Sequence, residues 1–288
     1  MRMLTRVIVF LFLVAPLVVS AERIELSTAL LDGSVRLNAV NFAGKYVGIT
    51  TRLTLTNTTK QIISVTIDGG VILKPVMVED QPMVLAGGEI VTISAGRSAE
   101  VEVETFCGNL SAHCPTKDGV YSFQKKGSDT LVRVLQFIRD RQLFNHLGQN
   151  GVWVVTNNAP IDDVYDSDQK QISALFVEHL CKVTGKPKPE MQRQVRYAEE
   201  AGATLGTPKA LKIYAEFEVL LESPKTLTLG VFNDKGEMIQ KVFEDQQFGR
   251  AGHVFGVDFE AADVPAGSYY IRLKEGDAVM KEKVVRID

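Results

Sequence analysis

The side chains in this chain that could most clearly take part in covalent chemistry are its three cysteines, Cys107, Cys114 and Cys181. Cys107 and Cys114 lie seven positions apart, and Gly108 and Asn109 between them give the segment the composition of a loop. Because a short loop can bring two Cβ atoms within bridging distance, the spacing predicts a Cys107–Cys114 disulfide in an oxidising compartment. A bridge from either cysteine to Cys181, or three thiols, stays open as an alternative.

Groups that could perform acid–base or metal chemistry are few. The chain has four histidines: His113, His146, His179 and His253. None of them stands in a zinc-protease or serine-hydrolase motif. One acidic group could offer oxygen ligands: Asp162, Asp163, Asp166 and Asp168. Its spacing is not that of a calcium-binding loop, so it is interpreted as a solvated loop with a helix cap. The sequence therefore predicts no catalytic residue, no metal site and no cofactor.

The amino-terminal segment predicts export. Arg2 and Arg6 precede an apolar run from Val7 to Val19, and Val19-Ser20-Ala21 has the small residues of a signal-peptide cleavage site. The run is shorter than the roughly 20 residues that a membrane-spanning helix needs. Residues 1–21 are therefore predicted to be a signal peptide, which leaves a secreted or cell-surface protein with no transmembrane segment.

Charge narrows the classes of partner. Without the two arginines of the leader, 30 basic residues face 35 acidic ones, a net charge of 30 − 35 = −5. Such a mildly acidic chain carries no overall electrostatic footprint for nucleic acid or for anionic lipid. We therefore expect no nucleic-acid partner.

Short alternating strands dominate residues 22–127. They are separated by turn residues such as Asp68-Gly69-Gly70 and Ala95-Gly96-Arg97, a pattern typical of an antiparallel β-sandwich. Four short segments together resemble an immunoglobulin-like module of secreted bacterial proteins: Leu55-Thr56-Asn57, a glycine pair, Gln81-Pro82-Met83 and Phe106-Cys107. The resemblance implies an N-terminal Ig-like sandwich.

Residues 128–184 have a helical pattern. Ser128 is a predicted cap for a helix that ends at Gly148, and a second helix is predicted from Asp166 or Ser167 to Gly185. Trp153 lies between them as an expected core anchor. A polar connector with several prolines and glycines, residues 185–208, is predicted to follow.

Residues 209–288 read as a further series of strands and turns. The segments "VFNDKGEMI", "GRAGHVFGVDF", "VPAGSYYIRL" and "VMKEKVVRID" resemble the carboxy-terminal sorting domain of type IX secretion in Bacteroidetes. They are also similar to the Ig-like module of flagellar hook-capping proteins. The resemblance implies a C-terminal Ig-like sandwich whose partner is the secretion machinery, although the terminal Arg286-Ile287-Asp288 departs from the lysine-rich tail of such domains.

A second resemblance concerns Gln149. The segment from Gln149 to Trp153 has the Gln-to-Trp spacing of the Thr-Gln-x-Ala-aliphatic-Trp motif in bacterial thioester adhesin domains. The resemblance implies a thioester between Gln149 and Cys107 or Cys114. Gly148 and Gly151 replace the threonine and the alanine of the motif, so the competing interpretation makes Gln149 a polar residue at a helix end.

These observations predict a mainly β protein: an N-terminal antiparallel Ig-like sandwich with a small helical insert, and a C-terminal Ig-like sandwich. The predicted function is that of a non-enzymatic secreted or cell-surface binding or structural protein. It would be exported by its signal peptide, sorted by its C-terminal domain, and directed to an unidentified extracellular ligand. The alternative is a secreted enzyme or a thioester-type adhesin with a site between the sandwich and the helical insert.

Overall fold

The structure is a computed structural model that describes residues 22–197, 206 and 208–287. The predicted signal peptide, residues 1–21, lies outside the described residues. The chain is mainly β, with several sheets and one group of helices.

The first half of the chain contains a closed barrel and a smaller separate sheet. Its strands and single helix are β1 (Glu22–Glu25), α1 (Leu26–Leu31), β2 (Val35–Asn41), β3 (Val47–Asn57), β4 (Ile63–Thr66), β5 (Val71–Pro75), β6 (Met83–Leu85), β7 (Ile90–Ile93), β8 (Ser98–Cys107) and β9 (Gly119–Lys126). Strands β2, β3, β8, β6, β5 and β9 close, in that order, into an antiparallel barrel. β1, β4 and β7 form a separate sheet in which β1 runs parallel to β4.

The closed barrel differs from the open Ig-like sandwich that the sequence predicts. β9 causes the closure, because Tyr121 pairs with Ala39 of β2 while Phe123 pairs with Leu73 of β5. The two edges of the curved sheet are thereby joined through one strand, which removes both edges. Alternation of apolar residues predicts the strands but not which edges meet.

Alternating residues of the barrel fill its interior. Leu53 and Leu55 of β3, Leu73 of β5 and Val103 of β8 are fully buried in one core cluster. Period-two burial of this kind is what an amphipathic strand supplies, since successive side chains point to opposite faces.

Three helices pack beside the barrel: α2 (Asp129–Asp140), α3 (His146–Thr156) and α4 (Lys170–Thr184). The Ser128 hydroxyl accepts a hydrogen bond from the Leu131 N–H at 3.3 Å, and Gly185 ends α4 with φ +74°, so both predicted helix signals are confirmed. Gly148 does not end a helix, however. It lies inside α3, which the Asn145 side chain caps.

The C-terminal part consists of β10 (Met191–Arg196), β11 (Lys209–Leu220), β12 (Lys225–Phe232), β13 (Met238–Phe248), β14 (Gly252–Glu260), β15 (Gly267–Glu275) and β16 (Ala278–Ile287). One sheet has the order β10-β11-β14 and the other the order β13-β12-β15-β16. Both contribute to one hydrophobic core, which includes Phe217, Val257, Leu229 and Ile271. The segment VFNDKGEMI turns between Asn233 and Gly236, where Gly236 has φ +81° and the Glu237 N–H donates to the Asn233 side chain at 2.9 Å.

The connector predicted at 185–208 contributes a strand. Met191–Arg196 pairs antiparallel with β11, from Met191 opposite Ala215 to Arg196 opposite Lys209. β10 therefore extends a sheet of the C-terminal unit, while Val195 and Tyr197 pack against the barrel core, and the boundary at residue 209 stays a prediction. The polar composition concealed this strand, because an edge strand beside a helical layer needs few fully buried side chains.

Candidate functional site

Helix α3 meets the barrel through Gln149, whose side chain is fully buried. Its Oε1 accepts a hydrogen bond from the Cys107 N–H at 2.8 Å, and its Nε2 donates to the Cys107 carbonyl oxygen at 2.9 Å. The pairing of β3 with β8 begins at Val47 and Phe106, so β3 offers no partner for the next residue of β8. The Gln149 amide takes the place of that missing strand residue and satisfies both polar backbone groups.

The two residues named for a thioester are therefore neighbours, but through the backbone of Cys107. The Cys107 sulfur lies 3.9 Å from the sulfur of Met83, inside the barrel core. Burial raises the pKa of the Cys107 thiol well above its ordinary value, and the nearby Cys114 raises it further. A thiol of this kind is a weak nucleophile. The contacts give Gln149 a structural role, and the thioester stays a prediction.

The cysteines divide between two cores. Cys107 and Cys114 are buried in the cluster that fills the barrel, whereas Cys181 packs at the edge of the cluster between the helices. All three are thiols in the structure. Placement in one core favours Cys107 and Cys114 over any pair with Cys181, and their disulfide stays a prediction.

Trp153 is a core anchor, as expected. Its side chain has no exposed surface, and its ring stacks on Tyr46 at a centroid distance of 6.0 Å. It also forms a T-shaped pair with Tyr197 at a centroid distance of 4.9 Å. The Tyr46 hydroxyl is 3.1 Å from Nδ1 of His146 at the start of α3. Barrel, helix and the end of β10 thus meet in one aromatic cluster.

A cleft of about 560 Å³ opens beside this cluster, where the start of α3 faces β10. Its lining combines the apolar Leu147, Val195 and Leu211 with polar side chains, which include His146, Asn150, Tyr165, Asp166, Gln194 and Arg196. Two of these side chains have structural partners: Asn150 donates to the Asp163 carbonyl oxygen at 2.7 Å, and the Tyr165 hydroxyl donates to Asp258 at 2.6 Å. The cleft is one candidate for a small-molecule site, because it is concave and joins apolar side chains to a few polar groups.

The acidic group lies beside this cleft with separate structural roles. Asp166 accepts the Asp168 N–H at 3.0 Å, which confirms the predicted cap. Asp163 is buried and not solvated, and it forms an ion pair with Arg193 of β10 at 2.6 Å. Burial raises the pKa of Asp163 to about 6, while the attraction of Arg193 acts in the opposite direction. Across residues 22–197, 206 and 208–287, no group of three or more His, Cys, Asp or Glu is placed to hold a metal ion.

The four histidines do not come together. His113 lies in the loop after β8, His146 on α3, His179 on α4 and His253 on β14. Sequence reasoning missed Tyr46, Arg193 and Tyr197, which lie where the barrel, the helices and β10 meet. The alternation of Arg193, Val195 and Tyr197 is a strand pattern that could have indicated β10.

Comparison with known proteins gives little. No protein-family profile matches the chain, and no curated protein matches it. Among solved structures, the chain is similar to the CBM51-2 and INT domains of ZmpB from Clostridium perfringens, with 9% sequence identity over 84% of this chain and 73% of that chain, and a TM-score of 0.16. A TM-score of this size bears on neither fold nor function. Within the described segments, every helix is too short or too polar to cross a membrane.

Proposed function

We propose that the chain is a non-enzymatic exported protein with a binding or structural role at the cell surface, and that its C-terminal unit is the part that transport machinery recognises. One observation carries the proposal: the strands from β10 to β16 enclose a hydrophobic core built only from their own segment of the chain. A unit with its own core can be recognised as a separate signal.

The C-terminal unit supports an Ig-like interpretation. Its strands divide into sheets of three and four, the number found in the smaller immunoglobulin domains. The Tyr269 hydroxyl donates to the Pro265 carbonyl oxygen at 2.7 Å. A tyrosine that bonds to the backbone a few residues upstream is a recurring corner of that fold.

A binding or structural role is supported by how polar groups are used at the junction. Gln149 completes the pairing of β8, Asp163 holds β10 through Arg193, and Tyr165 holds Asp258 of β14. These side chains join elements to one another, which is a structural task. A catalytic group must instead reach a substrate.

Cell fractionation tests the proposal. One variant lacks residues 189–288, a cut that removes β10 with its partner strands, and a full-length variant carries Ile271→Asp in the C-terminal core. We expect both to be exported past the inner membrane and to be missing from the cell surface. A matched control, Ile239→Asp, changes a residue of β13 that is 42% exposed, and it should reach the surface. Surface levels equal to wild type for both test variants would refute the recognition role.

A further inference from the structure

One end of the barrel carries a group of exposed apolar side chains. Val76, Met77 and Val78 follow β5 directly, and their exposed fractions are 65%, 54% and 93%. Val120 of β9 lies beside them and is 43% exposed. We refer to these four residues as the apolar tip. Apolar residues exposed one at a time are ordinary on protein surfaces, but a contiguous group marks a site of contact.

The apolar tip is held in place by backbone hydrogen bonds. The Val76 N–H donates to the Val120 carbonyl oxygen at 2.9 Å, and the Asp80 N–H donates to the Met77 carbonyl oxygen at 3.2 Å. The buried Asp80 carboxylate in turn accepts the Thr116 hydroxyl at 2.9 Å and the Thr116 N–H at 3.3 Å. The loop backbone is therefore fixed to β9 and to the segment before it, which lowers the entropy cost of presenting its apolar side chains to a partner.

The charges around the tip differ from the balance of the whole chain. Lys45, Lys74 and Lys117 are exposed at this end of the barrel, because they lie at the ends of β3, β5 and β9 or in the loops between them. The loops at Gly44 and Lys117 touch, since a Cβ added to Gly44 would lie 3.1 Å from the backbone nitrogen of Lys117. The acidic groups at the same end are the exposed Glu79 and Asp118 and the buried Asp80, so three cations and three carboxylates make this end neutral on an otherwise acidic protein.

We propose that the apolar tip inserts into the interfacial layer of a phospholipid bilayer, with the three lysines near the headgroups. A protruding row of aliphatic side chains suits acyl chains, which need no shape match. Protein-binding hot spots are instead rich in tryptophan, tyrosine and arginine and poor in valine. The inference does not depend on the C-terminal recognition role, because it concerns the opposite half of the chain.

Flotation with vesicles of phosphatidylcholine and phosphatidylglycerol in equal amounts tests the insertion. The mature full-length chain should float with the vesicles. Val78→Glu should lower its partition coefficient by about tenfold or more, because a charge replaces an apolar side chain that the bilayer would otherwise bury. The matched control is Val254→Glu on β14, a valine that is 64% exposed in the C-terminal unit, and it should float like wild type. Failure of the wild type to float, or flotation of Val78→Glu equal to wild type, would overturn the proposal.

Fluorescence gives an independent readout of the position of the tip. Val78→Trp places an indole at the most exposed tip position, while Trp153 remains buried in the core. Vesicles should shift the emission of this variant to shorter wavelength, and lipids with brominated acyl chains should quench it. The wild-type spectrum, which comes from Trp153 alone, should not change. An unchanged Val78→Trp spectrum at lipid excess would also overturn the proposal.

Discussion

At the scale of single residues, the junction of barrel and helices depends on an amide that acts as a piece of strand. Gln149 binds both polar backbone groups of Cys107, which no neighbouring strand can reach on that side. Sequence reasoning selected Gln149 and Cys107 as partners by resemblance to a reactive motif. It could not separate backbone hydrogen bonding from sulfur chemistry, because both require the same two residues to be close.

Gln149→Ala should lower the free energy of unfolding by roughly 2–5 kcal/mol, because it leaves two buried backbone groups of Cys107 without partners. Denaturant unfolding measures the change. Gln171→Ala on the exposed side of α4 is the matched control and should change stability by less than about 0.5 kcal/mol. Equal effects of the two substitutions would contradict the structural role of Gln149.

The cysteines give a second prediction at this scale. In the exported protein, non-reducing peptide mapping should yield a Cys107–Cys114 peptide. The bridge should stabilise the fold by roughly 2–3 kcal/mol, a value limited by its short loop because the effect grows with loop length. The peptide masses from the same mapping test the thioester, since that bond would remove one ammonia and join a cysteine to Gln149. A peptide that links Cys181 to either other cysteine would show that the helices are tied covalently to the barrel.

At the scale of elements, the pattern of the sequence predicted strands and helices better than their partners. Ser128 and Gly185 are local signals, since caps act within one turn, and both are confirmed. β10 was missed because its polar composition concealed it and its hydrogen bonds come from pairing with β11. The closure of the barrel by β9 could not be predicted either, because its pairs join residues far apart in sequence, such as Ala39 and Tyr121.

The link between β10 and the helices should depend on pH through Asp163. Burial raises the pKa of this carboxyl from 3.8 to about 6 in the folded chain, so folding favours its protonated form. Its contribution is therefore fully present below pH of about 4 and is lost as the pH rises through about 6, by up to roughly 3 kcal/mol. Unfolding curves across this range should show wild type losing stability relative to Asp163→Asn. Asp263→Asn, which removes an exposed carboxylate in the loop after β14, should run parallel to wild type. Parallel curves for Asp163→Asn would contradict the prediction.

At the scale of the whole molecule, the C-terminal unit is fastened to the helical layer. The Tyr165 hydroxyl and the Lys170 ammonium both bind the Asp258 carboxylate, and the Tyr165 ring stacks on Tyr214 at 5.4 Å. The polar connector at residues 185–208 predicts a boundary between two units. Proline and glycine content shows where a chain can bend, but it does not show whether the flanking units touch.

Asp258→Ala should separate the thermal unfolding of the two halves. The substitution removes the carboxylate that Tyr165 and Lys170 share. Calorimetry should therefore resolve two unfolding transitions in the variant, whereas the two halves of wild type should unfold at closer temperatures. Asp263→Ala, an exposed residue of the loop after β14, should leave the wild-type profile unchanged. A single transition for Asp258→Ala at the wild-type width would show that the remaining contacts suffice to couple the halves.

The closure of the barrel by β9 has a consequence for the order of folding. Its pairs join residues about eighty positions apart, such as Ala39 with Tyr121, and Glu25 meets Lys126 across 101 positions. The C-terminal unit, by contrast, contains two hairpins of consecutive strands, β12 with β13 and β15 with β16. Since contacts between distant positions form slowly, the segment synthesised last is expected to acquire its hairpins before the barrel closes. A transport apparatus that waits for a formed C-terminal signal would then receive a chain whose amino-terminal half is still open.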